Sequence, residues 1–382
     1  SLAMASSASM SNLAYEMYVC PSPNNMMKIL VQPKLFVALA IAAPCGISGA
    51  ALKWYQMNID ETFGKTVIND PAAYNTLSLL VVFILAFRVD CSYLKFWAGC
   101  NYVYNIGGSL FDGCADCFAY SRGSEADPKV VAEFHHLLIR LCSLLHAVIC
   151  ADLETGTGRF EEAETGMVAK SYSLELLDAG SIDEDSIKQL CMVENKVEYC
   201  FQWIQNACVE AHNAKVFKAE APVVSRAFED IGDSLVSFHE GQKITEVPFP
   251  FPYMISLQVL LITHYCLTPV VIAKWSNYWA WVGGFCFVGP FSIWLFIGLA
   301  IEMDLPFNYT KNSLSMQYMQ RMLNYRLLTL LDTYAEKTPT LVNAKKNVNR
   351  RSMSVDAEVA QGLAQIAQRG TQRNKTLRMI TG

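Results

Sequence analysis

The chain has 382 residues, of which 52% are hydrophobic and 17% are charged, against roughly 25% charged in an average soluble protein. Its net charge of -5 excludes the basic composition of a nucleic-acid-binding protein, and its apolar content excludes a disordered chain. The 13 cysteines form no regular framework and several lie inside apolar runs, so we interpret them as reduced thiols. This composition is typical of an integral membrane protein.

Four apolar stretches are predicted to form membrane-spanning helices, since a helix needs roughly 20 residues to cross the hydrocarbon core. They are residues 35–57, 77–87, 254–273 and 278–301, and the last one ends at Glu302. Tryptophan and tyrosine residues cluster between the third and fourth stretches, as they do at membrane–water interfaces. The sequence therefore predicts four spans.

The second stretch is shorter than a bilayer and is followed at once by charged residues. Eleven residues rise only about 16 Å as an α-helix, about half of the hydrocarbon thickness. Arg88, Asp90 and Lys95 follow within about two helical turns. A helix that continues through them carries their charges into a polar environment, which a pore or a vestibule provides.

Basic residues predict the orientation of the spans. Lys28 and Lys34 flank the first stretch, and the tail after Thr338 holds eight lysines and arginines. By the positive-inside rule, four spans then place both termini and the long middle region on the positive-inside side.

The middle region is predicted to be helical and to lie outside the membrane. Residues 130–150 are apolar on every side, which is typical of a helix buried in a bundle. Apolar residues recur at helical spacing over 186–218, and Pro222 is predicted to start a further helix. After the fourth span, residues 313–334 are predicted to form an amphipathic helix.

Catalytic patterns are scarce. The chain has no glycine-rich phosphate loop, nucleophile elbow or zinc-protease helix motif, so we predict neither an enzyme nor a cofactor. Cys114 and Cys117 form a lone CxxC, which is a weak sign of zinc or redox chemistry. The histidine pair 135–136 cannot chelate a metal from one helix face, and packing explains it better. His264 is more informative, because ionisable residues within a membrane are often functional, although a bond to a neighbouring helix explains it too.

The apolar row on the second stretch predicts a pore constriction. Leu79, Phe83 and Phe87 recur every four residues and share one helix face. Arg88 follows directly, so the row predicts a hydrophobic neck that opens into an anion-attracting mouth formed by Arg88 and Lys95. The alternative is that the row has no function, because every residue from 79 to 87 is apolar and any four-residue spacing would give such a row.

Three short motifs occur in order along the chain. Residues 87–97 (FRVDCSYLKFW) resemble the FR…SY signature of the bestrophin family, which a basic–aromatic pair follows. The sequence VPF at 247–249, before Pro252 and Tyr253, resembles the segment that precedes the third span. Glu302 followed by Pro306 and Phe307 resembles the acidic-PF element after the fourth span. The resemblance covers roughly residues 28–332.

The resemblance implies an all-α membrane protein with four transmembrane helices and a helical cytosolic-type vestibule, assembled as a homopentamer around one axial pore. It implies passive conduction of monovalent anions, chiefly chloride, through a neck of Leu79, Phe83 and Phe87. It also implies a second constriction, the cytosolic aperture, for which Val223 matches best and Val224 is close behind. His264 and Glu302 are the polar residues expected within the membrane. Further partners are membrane lipid and other membrane proteins, with no nucleic acid.

The chain departs from the family at two places. Ala98 and Cys100 stand where an acid and a base are usual, so the ion pairs there are lost. Residues 308–315 hold no carboxylate, whereas the animal branch has an acidic run there that binds calcium. Because calcium takes six to eight oxygen ligands, we predict no calcium site and no metal, as in the plant, algal and bacterial branches. The alternative function is a non-conducting scaffolding subunit with the same fold, and a membrane enzyme is a weaker third.

The predicted organisation has six parts. They are an N-terminal segment (1–27), the first two spans with the neck (28–110), a helical extramembrane region (111–246), the last two spans (247–306), an amphipathic helix (307–336) and a basic tail (337–382). The Ala/Ser/Met-rich residues 1–12 resemble part of a plastid transit region, so we expect a thylakoid or other organelle membrane.

Overall fold

The computed structural model describes residues 33–59, 72–155, 171, 174–307, 314–332, 335 and 337–340. These described residues are almost entirely helical, and residues 33–336 form one compact unit. The predicted N-terminal segment, most of the basic tail and residues 308–313 lie outside the described residues.

Nine α-helices follow one another within the described residues. They are α1 (Pro33–Asn58), α2 (Ala72–Tyr120), α3 (Pro128–Thr155), α4 (Glu184–Met192), α5 (Lys196–Asn213), α6 (Ala221–Glu246), α7 (Phe251–Trp275), α8 (Trp279–Met303) and α9 (Met316–Leu330).

Helix α2 is the longest element and runs far beyond its apolar start. Its 49 residues correspond to about 73 Å of α-helix, more than twice the hydrocarbon thickness of a bilayer. The helix continues without a break from the predicted second span, through the boundary predicted at residue 110, into the region predicted to lie outside the membrane. Its first half packs on α7 and α8, and its second half packs on α6 and α3.

Within the described residues, five helical segments are long and apolar enough to cross a membrane, one more than the four predicted spans. The additional one is α3, in which 83% of the most apolar window is buried within the protein, against 22% for α1, α2 and α8. Since its apolar residues are already covered by protein, the apolar character of α3 needs no membrane to explain it.

Small residues let α1 lie close against α8. A Cβ atom added at Gly49 would come within 2.6 Å of the Cys286 sulfur, and one at Gly46 within 3.1 Å of the Gly283 carbonyl oxygen. Glycines at such crossings let membrane helices approach closely and gain packing contacts. The Tyr265 hydroxyl of α7 donates a hydrogen bond to the Ile41 carbonyl oxygen at 3.0 Å, which ties α7 to the same helix.

The main core lies outside the apolar helices α1, α7 and α8. It is one continuous cluster built from the second half of α2 and from α3, α5, α6 and α9, and it includes Leu110, Leu145, Ile204, Ile231 and Leu323. The apolar spacing over 186–218 predicts one periodic segment, but the structure divides it at residues 193–195 into α4 and α5. Val193 is extended there, a local change of backbone that side-chain spacing does not report.

Candidate functional site

The three residues of the predicted neck lie on an exposed face of α2. Leu79 is 72% exposed, Phe83 is 69% exposed and Phe87 is 51% exposed. They stand about 6 Å apart along the helix axis, because four residues separate successive members. An exposed apolar row of this kind, in a single chain, needs cover from lipid, from another copy of the chain or from a dry pore.

The opposite face of α2 packs against the protein. Val81, Leu85, Arg88 and Ser92 are buried, and they recur at three- and four-residue spacing, as one face of a helix does. Val81 packs with Leu257 and Leu261 of α7. The two faces are therefore distinct, and of the neck row only Phe87, whose ring lies 5.8 Å from that of Tyr253, reaches α7.

Arg88 is buried and its charge is compensated within the chain. Its side chain is only 3% exposed, and its guanidinium binds both carboxylate oxygens of Asp304 at the end of α8. The Ser92 hydroxyl accepts a further hydrogen bond from the guanidinium. The Phe249 ring lies 4.2 Å from the guanidinium carbon, within range of a cation–π contact. The sequence predicts that Arg88 is an open cation that attracts anions. In the structure it is buried and paired with Asp304.

The three motifs that carry the family resemblance meet around Arg88. The signature motif supplies Arg88, the VPF element supplies Phe249, and Asp304 lies inside the acidic-PF element. Further along α2, a Cβ added at Gly99 would come within 2.8 Å of Pro306. Residues that are far apart in the chain thus form one junction between α2, the start of α7 and the end of α8.

Tyr253 connects this junction to the neck. Its hydroxyl donates a hydrogen bond to the Ile84 carbonyl oxygen at 2.7 Å. Its ring lies 5.1 Å from the ring of Phe249 and 5.8 Å from that of Phe87. Phe87, the last residue of the neck row, is therefore in direct contact with α7.

Lys95 also turns toward the VPF element and away from the neck row. Its ammonium group donates a hydrogen bond to the Val247 carbonyl oxygen at 3.3 Å, and its side chain is half-buried. Like Arg88, this cation bonds within the chain, but its partner is a neutral carbonyl oxygen.

His264 is buried between α7 and α2. Its Nε2 atom lies 3.1 Å from the Ser78 hydroxyl, directly before the first neck residue. Its ring stacks on that of Tyr74, whose hydroxyl lies 3.0 Å from the Thr268 hydroxyl. A bond to a neighbouring helix, the simpler of the two interpretations of His264, matches this geometry.

The remaining predicted site residues lie at two separate places. Val223 is in the first turn of α6, where Pro222 lies at the helix start, and it is 44% exposed. Its neighbour Val224 is 3% exposed, so only Val223 has a free face with which to line an aperture. Glu302 lies at the end of α8 and is partly buried. The carboxylate that pairs with Arg88 is that of Asp304, two residues later.

The CxxC cysteines face different neighbours. The Cys114 sulfur lies 3.1 Å from that of Cys142, and the Cys117 sulfur lies 4.0 Å from that of Cys208. His146 is buried, bonds to Gln320 at 2.6 Å, and burial lowers its pKa to about 4. Over the described ranges, no group of three or more His, Cys, Asp or Glu residues is arranged to hold a metal ion.

Sequence reasoning missed Asp304 and the packing roles of Phe249 and Tyr253. Asp304 lies two residues after Glu302, and both are acids at the end of the same apolar run, so spacing alone does not separate them. A buried arginine needs a carboxylate partner, and that requirement is the one signal that could have directed attention to a second acid.

The fold and this junction define a multi-pass helical membrane protein. A family model described as Bacterial/Fungal Bestrophin protein matches residues 17–329. The chain belongs to the bestrophin family.

Solved structures share its fold at low sequence identity. One is a mutant of a bacterial bestrophin homologue from Klebsiella pneumoniae, with 13% identity, a TM-score of 0.60, and coverage of 78% of this chain and 97% of that chain. Another is a mutant described only as a membrane protein, with 14% identity, a TM-score of 0.63, and coverage of 78% of this chain and 99% of that chain. No curated protein that was compared with this chain matches it.

Proposed function

We propose that this chain assembles as a homopentamer around one axial pore and conducts monovalent anions, chiefly chloride, passively across a membrane. The observation that carries the proposal is the exposed row Leu79, Phe83 and Phe87 on a helix whose opposite face is fixed to α7 and α8. Membership of the bestrophin family supports both the assembly and the conduction.

In such an assembly the row forms three stacked apolar rings. Rings of this kind control ion passage by dewetting, because an ion must shed part of its hydration to enter them. The edges of phenylalanine rings are weakly positive, so Phe83 and Phe87 tolerate a partly dehydrated anion better than a cation. Nitrate and bicarbonate are further candidate ions for the same neck.

Arg88 has a different role in this proposal from the one its position in the sequence indicates. Because Asp304 compensates its charge, Arg88 acts as a positioning residue that holds α2 against the end of α8. Val223 is proposed as the cytosolic aperture, since it is the exposed member of the valine pair at the start of α6.

Planar-bilayer recording of the purified protein in asymmetric chloride tests the proposal. Alanine at Leu79, Phe83 and Phe87 together should widen the neck and raise the single-channel conductance. Val259→Ala on α7 is the matched control, because Val259 is similarly exposed but lies on another helix, and it should leave the conductance unchanged. Equal conductance in the neck variant would remove these residues from the pore.

Silence from folded pentamers, with calcium and without, would contradict conduction. It would favour the scaffolding subunit, which keeps the fold and serves partner membrane proteins. The two functions differ in this one measurement.

We also propose that conduction is independent of calcium, because residues 308–315 contain no carboxylate to bind the ion. The expected result is the same current in a chelator and in micromolar calcium. A current that appears only with calcium would contradict this proposal. It would not affect the proposal that Leu79, Phe83 and Phe87 form the neck.

For location, we propose a chloroplast thylakoid or another organelle membrane, which the composition of residues 1–12 and the lack of a calcium-binding run support. Fractionation of cells that express the tagged protein tests it, and recovery in the plasma membrane would contradict it.

A further inference from the structure

Asp90 lies on the same face of α2 as the neck residues. With about 100° of rotation per residue, Leu79, Phe83 and Phe87 occupy directions of about 0°, 40° and 80°, and Asp90 falls at about 20°, within that arc. It lies about 4.5 Å beyond Phe87 along the helix axis. Its side chain is exposed in the chain, like those of the neck row. Whatever faces the neck therefore also faces Asp90.

The carboxylate of Asp90 is uncompensated. Within the described residues it accepts no hydrogen bond and forms no ion pair. The nearby cations point elsewhere, because Arg88 is paired with Asp304 and Lys95 donates to the Val247 carbonyl oxygen. On the face of α2 that carries the neck row, the first charge past the neck is thus negative, although the sequence places a cation directly after Phe87.

No other charge follows on this arc for several turns of α2. After Asp90, the same direction is taken by Leu94, Trp97, Asn101, Asn105 and Gly108, and the next acid is Asp112. Asp112 lies about 33 Å further along the helix axis. At 0.1 M salt the Debye length is about 10 Å, so Asp112 is screened from the neck whereas Asp90 is not.

We propose that Asp90 is a charge-selectivity residue of the pore, which weakens its preference for anions by placing a ring of carboxylates directly beyond the neck. The inference rests on the proposed function, since it requires the neck row to line a pore. Rings of Asp or Glu attract cations and repel anions in channels. The apolar neck and the acidic ring then act in opposite directions on chloride, and the wild-type protein admits small cations beside anions.

A charge series at residue 90 tests the proposal. The chloride-to-sodium permeability ratio is obtained from reversal potentials in asymmetric NaCl for the wild type, Asp90→Asn and Asp90→Lys. The ratio should rise by about threefold or more when the carboxylate is neutralised, and further when a cation replaces it. Glu133→Gln is the matched control, because Glu133 is an exposed acid on α3, and it should leave the ratio unchanged.

Salt dependence separates this electrostatic role from a structural one. At 1 M salt the Debye length falls to about 3 Å, so the difference between the wild type and Asp90→Asn should shrink strongly. A change in pore shape would persist at high salt. Asp90→Asn is nearly isosteric at an exposed site, so it carries the test by itself if Asp90→Lys does not assemble.

The other outcomes contradict either the role of Asp90 or the proposed function. An unchanged permeability ratio in Asp90→Asn, with normal currents, overturns the role of Asp90 and leaves the neck in place. A ratio that changes equally at low and high salt also overturns it. A folded wild-type pentamer that passes no current overturns the proposed function and, with it, this inference.

Discussion

Helices α2 and α3 are both long and both contain an apolar segment, but the two segments have different surroundings. The apolar start of α2 keeps most of its side chains exposed, whereas the apolar window of α3 is 83% buried within the protein. The difference arises from the neighbours: α3 is enclosed by α2, α5, α6 and α9, whereas the first half of α2 is covered on one face only. The length of an apolar segment therefore shows that the helix is not surrounded by water. The neighbouring helices decide whether its apolar side chains are covered by protein or stay exposed in the chain.

A substitution on the buried face of α2, which packs on α7 and α8, should have the largest effect on the free energy of unfolding. Arg88→Met leaves Asp304 without its partner, and removing one member of a buried ion pair typically costs about 3–5 kcal/mol. Denaturant unfolding in detergent measures the free-energy change. Lys95→Ala is the control and should cost less than about 1 kcal/mol, since Lys95 makes one hydrogen bond at a half-buried site.

A double variant sharpens this prediction. Replacing Arg88 by Met and Asp304 by Leu together removes both charges, so it should recover much of the stability that the single variant loses. A double variant as unstable as Arg88→Met would show that the loss comes from packing and not from the unpaired carboxylate.

The same substitution on the two helices compares them directly. Leu145→Ala in α3 opens a cavity in the main core and should cost about 2–5 kcal/mol. Leu80→Ala on the exposed side of α2 should cost less than about 0.5 kcal/mol. Equal losses in denaturant unfolding would mean that Leu80 is covered in the folded assembly.

Two glycines of α2 test how closely its buried face is packed. A Cβ at Gly99 meets Pro306 and Phe307 within about 3 Å, so Gly99→Ala should destabilise by about 1–3 kcal/mol. Gly108→Ala meets nothing within 4 Å and should stabilise by about 0.5–1 kcal/mol through helix propensity. The thermal midpoints of the two variants should move in opposite directions, and a shift of both in one direction would contradict the packing at Gly99.

A pH-dependent effect of modest size is expected at the buried end of α3. Burial, with help from Glu198 and Glu246, raises the pKa of Asp152 to about 6. A raised carboxyl pKa means that the folded state takes up the proton first, so this group destabilises the fold above pH 6 and the cost is relieved as the pH falls. From pH 7 to pH 5 the wild type should gain about 1 kcal/mol relative to Asp152→Asn.

Comparison with that variant is necessary because His146 acts in the opposite direction. Its pKa of about 4 means that the unfolded state takes up the proton first, so stability is lost as the pH falls below 6.5. Denaturant unfolding at several pH values measures the difference between the two proteins. A difference that does not depend on pH would place the Asp152 carboxyl in water.

Much of the fold was predictable because the signals are local. The four apolar stretches fall within α1, α2, α7 and α8, and Pro222 lies in the first turn of α6. The length of α2 was not predictable from hydropathy, because its apolar character ends at Phe87 while its backbone stays helical to Tyr120. Over this second half the apolar residues of α2 pack on α6 and α3.

The candidate site was predictable as a helix face but not as a set of charges. Spacing alone places Leu79, Phe83 and Phe87 on one face, and the structure exposes all three. Spacing also places Arg88 well away from that face and Asp90 within it, but it does not show which charge is compensated. That depends on Asp304, which is 216 residues away in the chain.

The sequence by itself determined that this is a helical membrane protein of the bestrophin type, because apolar length, periodicity and short motifs are properties of neighbouring residues. Only the tertiary structure decided that protein covers the apolar residues of α3, that Asp304 pairs with Arg88, and that Asp90 has no partner among the described residues. These depend on contacts between distant segments, and the environment of a charge is set by what packs around it in space.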